Sequence, residues 1–147
     1  ELSGIPVDVC FAPAEWCEAV LIAALDEANI SIQFMTFSFT SDTVGDALVR
    51  AYDRGVAVEG VVERRQSDQW SEYDALKLVG IPVFKDGNAG TMHHKVFIID
   101  GKTVVTGSFN PTANANTRND ENLLVIQDAA LAPLYALEYA RVKSAAS

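Results

Sequence analysis

The chain has 147 residues, about the length of one domain, and its 49% hydrophobic and 21% charged residues exclude intrinsic disorder. No apolar run approaches the roughly 20 residues that span a bilayer, and no Lys/Arg cluster precedes an apolar segment, so neither stable membrane insertion nor a retained signal peptide is expected. The 11 Lys and Arg residues against 20 Asp and Glu residues leave a net charge of −9, which argues against strong binding of a polyanion by the protein surface as a whole.

The first part of the chain alternates between strand and helix patterns. Apolar and β-branched runs predict strands at Val7–Phe11, Ile30–Phe39 and Val56–Val62. Apolar residues at helical spacing predict helices at Ala14–Ala28 and Val44–Tyr52, and Ser41-Asp42 offers an N-cap to the second. This β-α alternation predicts a layered α/β fold.

The second part continues the alternation and then adds a hairpin. A helix is predicted at Asp68–Val79, stopped by Gly80, and a strand at Ile81–Phe84. The β-rich runs Val96–Ile99 and Thr103–Thr106 flank Asp100-Gly101, a dipeptide that favours a tight type I′ turn. A last strand is predicted at Leu123–Ile126 and a closing helix at Asp128–Lys143, with Pro133 either kinking it or starting its main segment.

The most informative segment has the spacing H-x-K-x4-D-x6-G-S-x-N. Its members are His93, Lys95, Asp100, Gly107, Ser108 and Asn110. With average residue usage, six fixed positions would arise by chance on the order of once per million chains of this length. The spacing is therefore a signal of function.

These residue types suit phosphodiester chemistry. An anionic phosphodiester repels nucleophiles, so its cleavage needs a nucleophile that is neutral near pH 7, a proton donor for the leaving oxygen, and positive charge around the phosphoryl oxygens. A histidine serves in either of the first two roles, because its unperturbed pKa of about 6.5 lets the environment set its charge. His93 and His94 are the only histidines, and neighbours on a strand point to opposite faces, so one chain supplies half of such a site.

Each member of the motif also has a plain structural interpretation. Asp100 before Gly101 is more often a turn former than a catalyst, and we assign it structural support within the signature. Lys95 precedes an apolar run, where a lysine usually has a reason to be, and it is assigned to phosphate binding. Ser108 and Asn110 are assigned as donors to a phosphoryl oxygen, although Asn110 before a proline also fits a turn.

The motif resembles that of the phospholipase D superfamily, and the likeness extends along the chain. It includes Phe11-Ala-Pro13, the strand ending in Met-Thr-Phe-Ser-Phe-Thr, Gly80-Ile81-Pro82, Gly107-Ser-Phe-Asn-Pro111 and Glu121-Asn122. Departures are Glu63, where the subgroup with a single motif often has Asp, and His94 at the second position of the motif. The resemblance implies an α/β/α sandwich with a mixed central β-sheet flanked by helices, formed by residues 1–147 as a single catalytic domain.

The resemblance also implies a mechanism. The family pairs two H-x-K-x4-D motifs across a two-fold axis, and this chain has one, so the expected assembly is a homodimer with both motifs at the axis. His93 of one subunit would attack to form a phosphohistidine, and His93 of the other would protonate the leaving group. The catalytic set is then His93, Lys95, Asp100 and Glu121, with Glu121 orienting the histidine. No metal and no other cofactor is expected, because no carboxylate or Cys/His cluster suggests a ligand set.

The leading functional hypothesis is a nonspecific endonuclease that acts on DNA, with RNA as a further substrate. The net charge opposes it, but the relevant field is local, and a two-fold axis would gather Lys95, Arg64, Arg65 and Arg118 in one groove. The basic pair Arg64-Arg65 fits a solvated loop better than a groove. Trp16 and Trp70 are more typical of packing than of base stacking. The alternatives are a phospholipase D or cardiolipin hydrolase acting on lipid, and a noncatalytic binding dimer.

Two features leave the compartment open. Cys10 and Cys17 would form a small-loop disulfide in an exported protein and buried thiols in a cytosolic one. The chain starts at Glu1, as expected after removal of an export signal or excision from a longer polypeptide. A periplasmic or secreted location is favoured, with a cytoplasmic location or a domain of a larger protein as alternatives.

Overall fold

Seven strands and five helices form the fold in a computed structural model that describes all residues 1–147. The strands are β1 Val7–Ala12, β2 Ser31–Thr36, β3 Ala57–Val62, β4 Val83–Lys85, β5 Lys95–Ile99, β6 Thr103–Gly107 and β7 Glu121–Gln127. The helices are α1 Cys17–Asp26, α2 Asp42–Asp53, α3 Tyr73–Leu78, α4 Ala113–Thr117 and α5 Ala132–Lys143, with a short 3₁₀ turn at Arg64–Gln66. No helix is long and apolar enough to cross a membrane.

The strands form one mixed sheet in the order β1-β7-β6-β5-β2-β3-β4. Strands β2, β3 and β4 are parallel, and all other neighbouring pairs are antiparallel. The register aligns Thr36 with both Val62 and Lys95, and Ala12 with Glu121. The ends of β1, β2, β3 and β6 and the starts of β5 and β7 therefore share one edge, called here the site edge.

Helices cover both faces of the sheet. Leu21 of α1 and Leu48 of α2 pack with Phe34 and Phe97 on one face, and Tyr139 and Val142 of α5 pack with a second buried cluster on the other. Each buried side chain of this size contributes about 1.5–3 kcal/mol through removal of apolar surface from water. The predicted layered α/β/α sandwich with a mixed sheet is confirmed.

Two predicted helices begin later than expected, and one helix was not predicted, each for a local reason. The helix predicted at Asp68–Val79 begins only at Tyr73, because Asp68 accepts a hydrogen bond from the Trp70 backbone at 3.0 Å and forms a turn. The closing helix begins at Ala132 with Pro133 in its first turn, so the proline starts the helix and does not kink it. Helix α4 was missed, although Thr112 caps it through the Ala115 backbone N–H at 3.2 Å.

The two cysteines form a disulfide. Cys10 on β1 and Cys17 at the start of α1 are both buried, with Cα atoms 5.6 Å apart. The bond closes the β1–α1 connection, next to the site edge. Of the two states that the sequence left open, the structure contains the oxidised one.

Candidate active site

His93 lies on the site edge, two residues before the start of β5, and is held against Phe37. The two ring centroids are 4.4 Å apart, and the Phe37 backbone N–H donates to the His94 carbonyl at 2.9 Å. The neighbouring His94 points to the other face, where its Nε2 lies 3.2 Å from Glu138 Oε1 of α5. The two histidines therefore have separate environments, and only His93 faces the rest of the motif.

The Lys95 ammonium lies directly beside His93. Its Nζ is 3.1 Å from His93 Nδ1 and 2.9 Å from the His93 carbonyl oxygen, and 5.1 Å from the centre of the Phe37 ring. Burial lowers the pKa of Lys95, and the charge of Glu121 opposes that shift. A partly desolvated cation next to the histidine is suited to bind a phosphoryl oxygen.

Glu121 is the first residue of β7 and is half-buried. It accepts a hydrogen bond from the Asn119 side chain at 3.1 Å, and its charge acts on the Lys95 ammonium. No hydrogen bond joins it to His93 within one chain. The role of orienting the histidine, implied by the family resemblance, stays a prediction.

The end of β6 brings Ser108 and Asn110 to the same edge. Gly107 has φ +147° and lies so close to the Asn122 carbonyl that no side chain fits there. Ser108 Oγ accepts the Asn122 backbone N–H at 3.0 Å, which leaves the hydroxyl proton free to donate. Asn110 Oδ1 accepts the Ser38 backbone N–H at 3.4 Å, while its NH₂ group makes no hydrogen bond in the chain and remains available to a ligand.

Asp100 lies at the opposite end of β5, away from His93 and Lys95. Its carboxylate accepts the backbone N–H groups of Asn29, Ile30 and Ser31, with Ile30 nearest at 2.8 Å. Burial alone would raise the pKa of Asp100, but these hydrogen bonds outweigh it and the pKa is lowered. Asp100 and Gly101 both have positive φ, as the predicted type I′ turn requires. These contacts fit the structural support assigned to Asp100 from the sequence, and its membership of the catalytic set, implied by the family resemblance, stays a prediction.

Two residues that shape the site were not predicted from the sequence. Phe37 was predicted only as part of a strand. The available signal of its role in the site was an aromatic residue directly after Thr36, where β2 ends. Glu63 was noted only as a departure from the family pattern. It is almost fully buried, and its side chain accepts the Met92 backbone N–H at 2.7 Å. Both residues lie at ends of the parallel strands, where functional side chains of α/β sheets commonly gather.

The chain offers no evident place for a resident metal ion. No three or more His, Cys, Asp or Glu side chains cluster in a geometry that would hold a metal ion. What the site edge brings together is one imidazole, one ammonium and one carboxamide, with Glu121 beside them. This set can bind an anionic phosphoryl group and supply one nucleophile or one acid.

Comparisons with known proteins place this arrangement. Residues 21–142 match the family model described as "Cardiolipin synthase, PLD-like domain". The phospholipase D of Rickettsia conorii is 38% identical over 136 residues, covering 92% of this chain and 68% of that protein. The mitochondrial cardiolipin hydrolase of Mus musculus is 34% identical over 142 residues, covering 95% of this chain and 63% of that protein.

Similar solved structures point to the same family as the sequence relatives. A phospholipase D family member, Nuc from Salmonella typhimurium, superposes with a TM-score of 0.92 at 34% identity, covering 97% of both chains. NucT from Helicobacter pylori has a TM-score of 0.89 at 25% identity, covering 97% of this chain and 98% of that one. The fold and the relatives define a hydrolase that acts on phosphodiester bonds. The chain belongs to the phospholipase D superfamily.

Proposed function

We propose that the protein is a metal-independent, nonspecific endonuclease that hydrolyses DNA, and also RNA, in a homodimeric active site. The observation that carries the proposal is the single histidine at the site edge, backed by Lys95 and Asn110, in a chain of the size and fold of Nuc and NucT. A chain with one such histidine needs a second copy to provide both a nucleophile and an acid.

The proposed reaction has two steps. His93 of one subunit attacks phosphorus, a phosphorus–nitrogen bond forms, and the phosphorus–oxygen bond to the leaving strand breaks as His93 of the partner subunit gives that oxygen a proton. Water then attacks the phosphohistidine, the partner's histidine accepts a proton from it, and the phosphorus–nitrogen bond breaks. The ammonium of Lys95 and the amide of Asn110 stabilise charge on the phosphoryl oxygens throughout.

An apolar surface beside the site supports the homodimer. Val9 and Phe11 are 48% and 59% exposed on edge strand β1, and Leu124 of β7 pairs with Val9 on the same sheet face. We call these three residues the β1 patch. Phe11 pairs with Asn122, next to Glu121, so the patch continues to the site edge. An exposed apolar patch on a sheet edge suits contact with another protein surface, and a second copy bound there would reach the end of β1 that lies on the site edge.

The charge distribution and the tryptophans bear on the substrate. Arg64, Arg65 and Arg118 are exposed near the site edge, so a local positive field is compatible with the net charge of −9. Trp16 and Trp70 are 71% and 72% exposed, so the prediction that they pack was wrong. Trp16 lies in the loop after β1, whose end is on the site edge, and exposed indoles of this kind are free to stack on bases.

The second candidate is a phospholipase D or cardiolipin hydrolase acting on lipid phosphodiesters. The names of the relatives from Rickettsia conorii and Mus musculus favour it. Exposed tryptophans also suit a lipid interface, where one end of the indole is apolar and the other wet. The catalytic core proposed above would serve either substrate, because it contacts only the phosphoryl group.

The test compares substrates with excess EDTA present. Plasmid DNA, single-stranded DNA, RNA, and cardiolipin or phosphatidylcholine vesicles are each incubated with the parent, with His93→Ala and with His94→Ala. The proposal expects nucleic acid cleavage by the parent and by His94→Ala, whose histidine faces α5, and none by His93→Ala. Hydrolysis of vesicles without cleavage of any nucleic acid would replace the nuclease by the lipid hydrolase. Acid-labile substrate phosphate bound to the denatured parent, and absent from His93→Ala, would identify the phosphohistidine.

A further inference from the structure

The loop that carries His93 must cross the site edge. Strand β4 is at the margin of the sheet, while β5 lies beyond β3 and β2, so residues 86–94 run over the ends of both strands. Long loops of this kind carry functional groups only when the scaffold beneath holds them. Glu63 directly follows β3 and lies under the crossing.

The side chain of Glu63 bridges this loop to the sheet. It is 3% exposed, and its two carboxyl oxygens accept separate backbone N–H groups, Met92 at 2.7 Å and Arg65 at 3.0 Å. The Glu63 backbone N–H donates to the Thr36 carbonyl at 3.0 Å, which continues the β2–β3 pairing. The backbone of Glu63 is thus hydrogen-bonded to the sheet, and no lysine or arginine forms an ion pair with its carboxyl group.

Met92 is the residue before His93, and His94 is held from the other side. The Phe37 N–H donates to the His94 carbonyl, and the Phe37 ring contacts the His93 ring. His93 therefore lies between two anchored peptide groups, one fixed by Glu63 and one by Phe37. Without the Glu63 contact, the chain entering His93 would have no hydrogen bond from Met92 to the sheet.

We propose that Glu63 is a positioning residue for the His93 nucleophile, acting through the Met92 amide. The inference rests on the proposed function of His93 and assigns Glu63 no contact with substrate. A displacement of about 1 Å in a reacting group can cost about a hundredfold in rate. Glu63 would thus affect kcat through geometry, while the phosphate contacts proposed for Lys95 and Asn110 remain, so KM should change little.

The chain offers a matched control in Asp86. This residue is also 3% exposed, lies at the end of β4 on the same edge, and accepts a hydrogen bond from the Asn88 side chain at 2.5 Å. It makes no hydrogen bond with Met92 or His93. Asp86→Asn therefore removes an equally buried carboxyl group, on the loop that carries His93, and leaves the proposed anchor in place.

The kinetic experiment compares Glu63→Gln, Glu63→Asp and Asp86→Asn on bis(p-nitrophenyl) phosphate, a phosphodiester without bases or lipid. Glutamine keeps one acceptor oxygen and opposes the second backbone N–H with its own NH₂ group. We expect a kcat about 10- to 100-fold below the parent with KM within about threefold. Glu63→Asp should recover part of kcat, and Asp86→Asn should stay within about twofold of the parent. A kcat for Glu63→Gln within about twofold of the parent would overturn the proposal, even if its Tm falls.

An NMR experiment reads the anchor without substrate. The Met92 amide proton should be protected from exchange in the parent and in Asp86→Asn, and exposed in Glu63→Gln. The ring protons of His93, which lie against Phe37, should shift only in the Glu63 variant. Unchanged His93 ring signals in Glu63→Gln would refute the positioning role. If the His93 ring signals shift in Glu63→Gln but the parent hydrolyses no phosphodiester, the result would support positioning and reject the proposed function.

Discussion

At the residue scale, the two ends of β5 separate chemistry from stability. His93 and Lys95 lie at its start, where one side chain contacts the other, and Asp100 lies past its end, where it binds three backbone N–H groups. The H-x-K-x4-D spacing therefore spans a whole strand and joins two different tasks. Five residues of extended chain cover about 16 Å, too far for direct contact between Asp100 and the site.

Asp100→Ala should lower stability and leave the chemistry intact. Loss of the carboxylate exposes three backbone N–H groups without a partner, at a cost of about 1–2 kcal/mol, similar to the loss of a helix cap. Urea unfolding measures the stability, and kcat on bis(p-nitrophenyl) phosphate measures the chemistry. His93→Ala should show the reverse pattern. A loss of kcat in folded Asp100→Ala comparable to that in His93→Ala would contradict the structural assignment.

The Asp100 carboxylate should also affect how the stability of the fold depends on pH. Its pKa is lowered in the folded state, so its contribution to stability is present above the unfolded value near 3.8 and is lost as pH falls through the folded value. The free energy of unfolding of Asp100→Asn should therefore be lower than the parent's at pH 7, and the difference should shrink as pH falls to 3. Thermal unfolding at several pH values checks this, and a deficit that stays constant with pH would contradict it.

At the element scale, the contact between α2 and the start of α3 includes a carboxyl group in an environment that disfavours its ionised form. Glu72 is half-buried, lies against Gly45 of α2 and faces Asp42 and Asp46. Burial, with the two nearby carboxylates adding to it, raises the pKa of Glu72 to about 7. Because the folded value exceeds the unfolded one, near 4.5, the folded state binds the proton more tightly. Stability is therefore fully present below pH 4.5 and declines as pH rises through 7.

Glu72→Gln should remove that decline. At pH 8 its free energy of unfolding should exceed the parent's by about 1 kcal/mol, after allowance for screening by solvent, and at pH 4 the two should agree. Differential scanning calorimetry across this range gives the comparison. Asp8→Asn, a substitution on the exposed side of β1, serves as the control and should follow the parent. A Glu72→Gln curve parallel to the parent's would show that the carboxyl group is ionised without penalty.

The disulfide between β1 and α1 is a second feature at this scale. It closes a short loop with a sequence separation of 7. A loop of that length corresponds to about 2–3 kcal/mol in the chain-entropy model. Cys10→Ser with Cys17→Ser should lower the free energy of unfolding by that amount in urea, and reductant should lower the parent to the same level. Thiol titration verifies that reduction is complete. An unchanged free energy of unfolding in the fully reduced parent would contradict this contribution of the disulfide.

At the scale of the whole molecule, the proposed active site belongs to a pair of chains. If each site needs His93 from both subunits, mixing parent with His93→Ala under subunit exchange yields active sites only in parent pairs. At equal amounts the activity should fall to about a quarter of the all-parent value, whereas independent chains would retain about half. Phosphodiester hydrolysis is measured over a range of mixing ratios. A shared site predicts activity proportional to the square of the parent fraction, and independent chains predict a linear dependence.

The β1 patch gives an independent test of the pairing. Phe11→Glu places a charge on the proposed contact and should convert the dimer to monomer on gel filtration, with loss of activity. Leu78→Glu, at the end of α3 on an 89% exposed side chain, should leave both unchanged. An active monomer in either the parent or Phe11→Glu would reject the shared site.

Much of this architecture is predictable from local patterns. Strands with β-branched residues, the Ser41 cap and the Asp100-Gly101 turn all lie where they were expected, because each depends on neighbours within a few residues. The helix predicted to begin at Asp68 and the unpredicted helix after Thr112 both lie where a side chain bonds to nearby backbone, which replaces a helical turn in the first case and caps one in the second.

By itself, the sequence determined the class of chemistry and the layered fold, because residue types and spacing encode both the phosphodiester motif and the alternation of strands and helices. Only the tertiary structure decided which of these residues meet. It placed Asp100 away from His93, turned His94 toward α5, left Trp16 and Trp70 exposed and brought Glu63 under Met92. The reason is that contacts between residues far apart in sequence depend on strand order and register, which no local pattern contains.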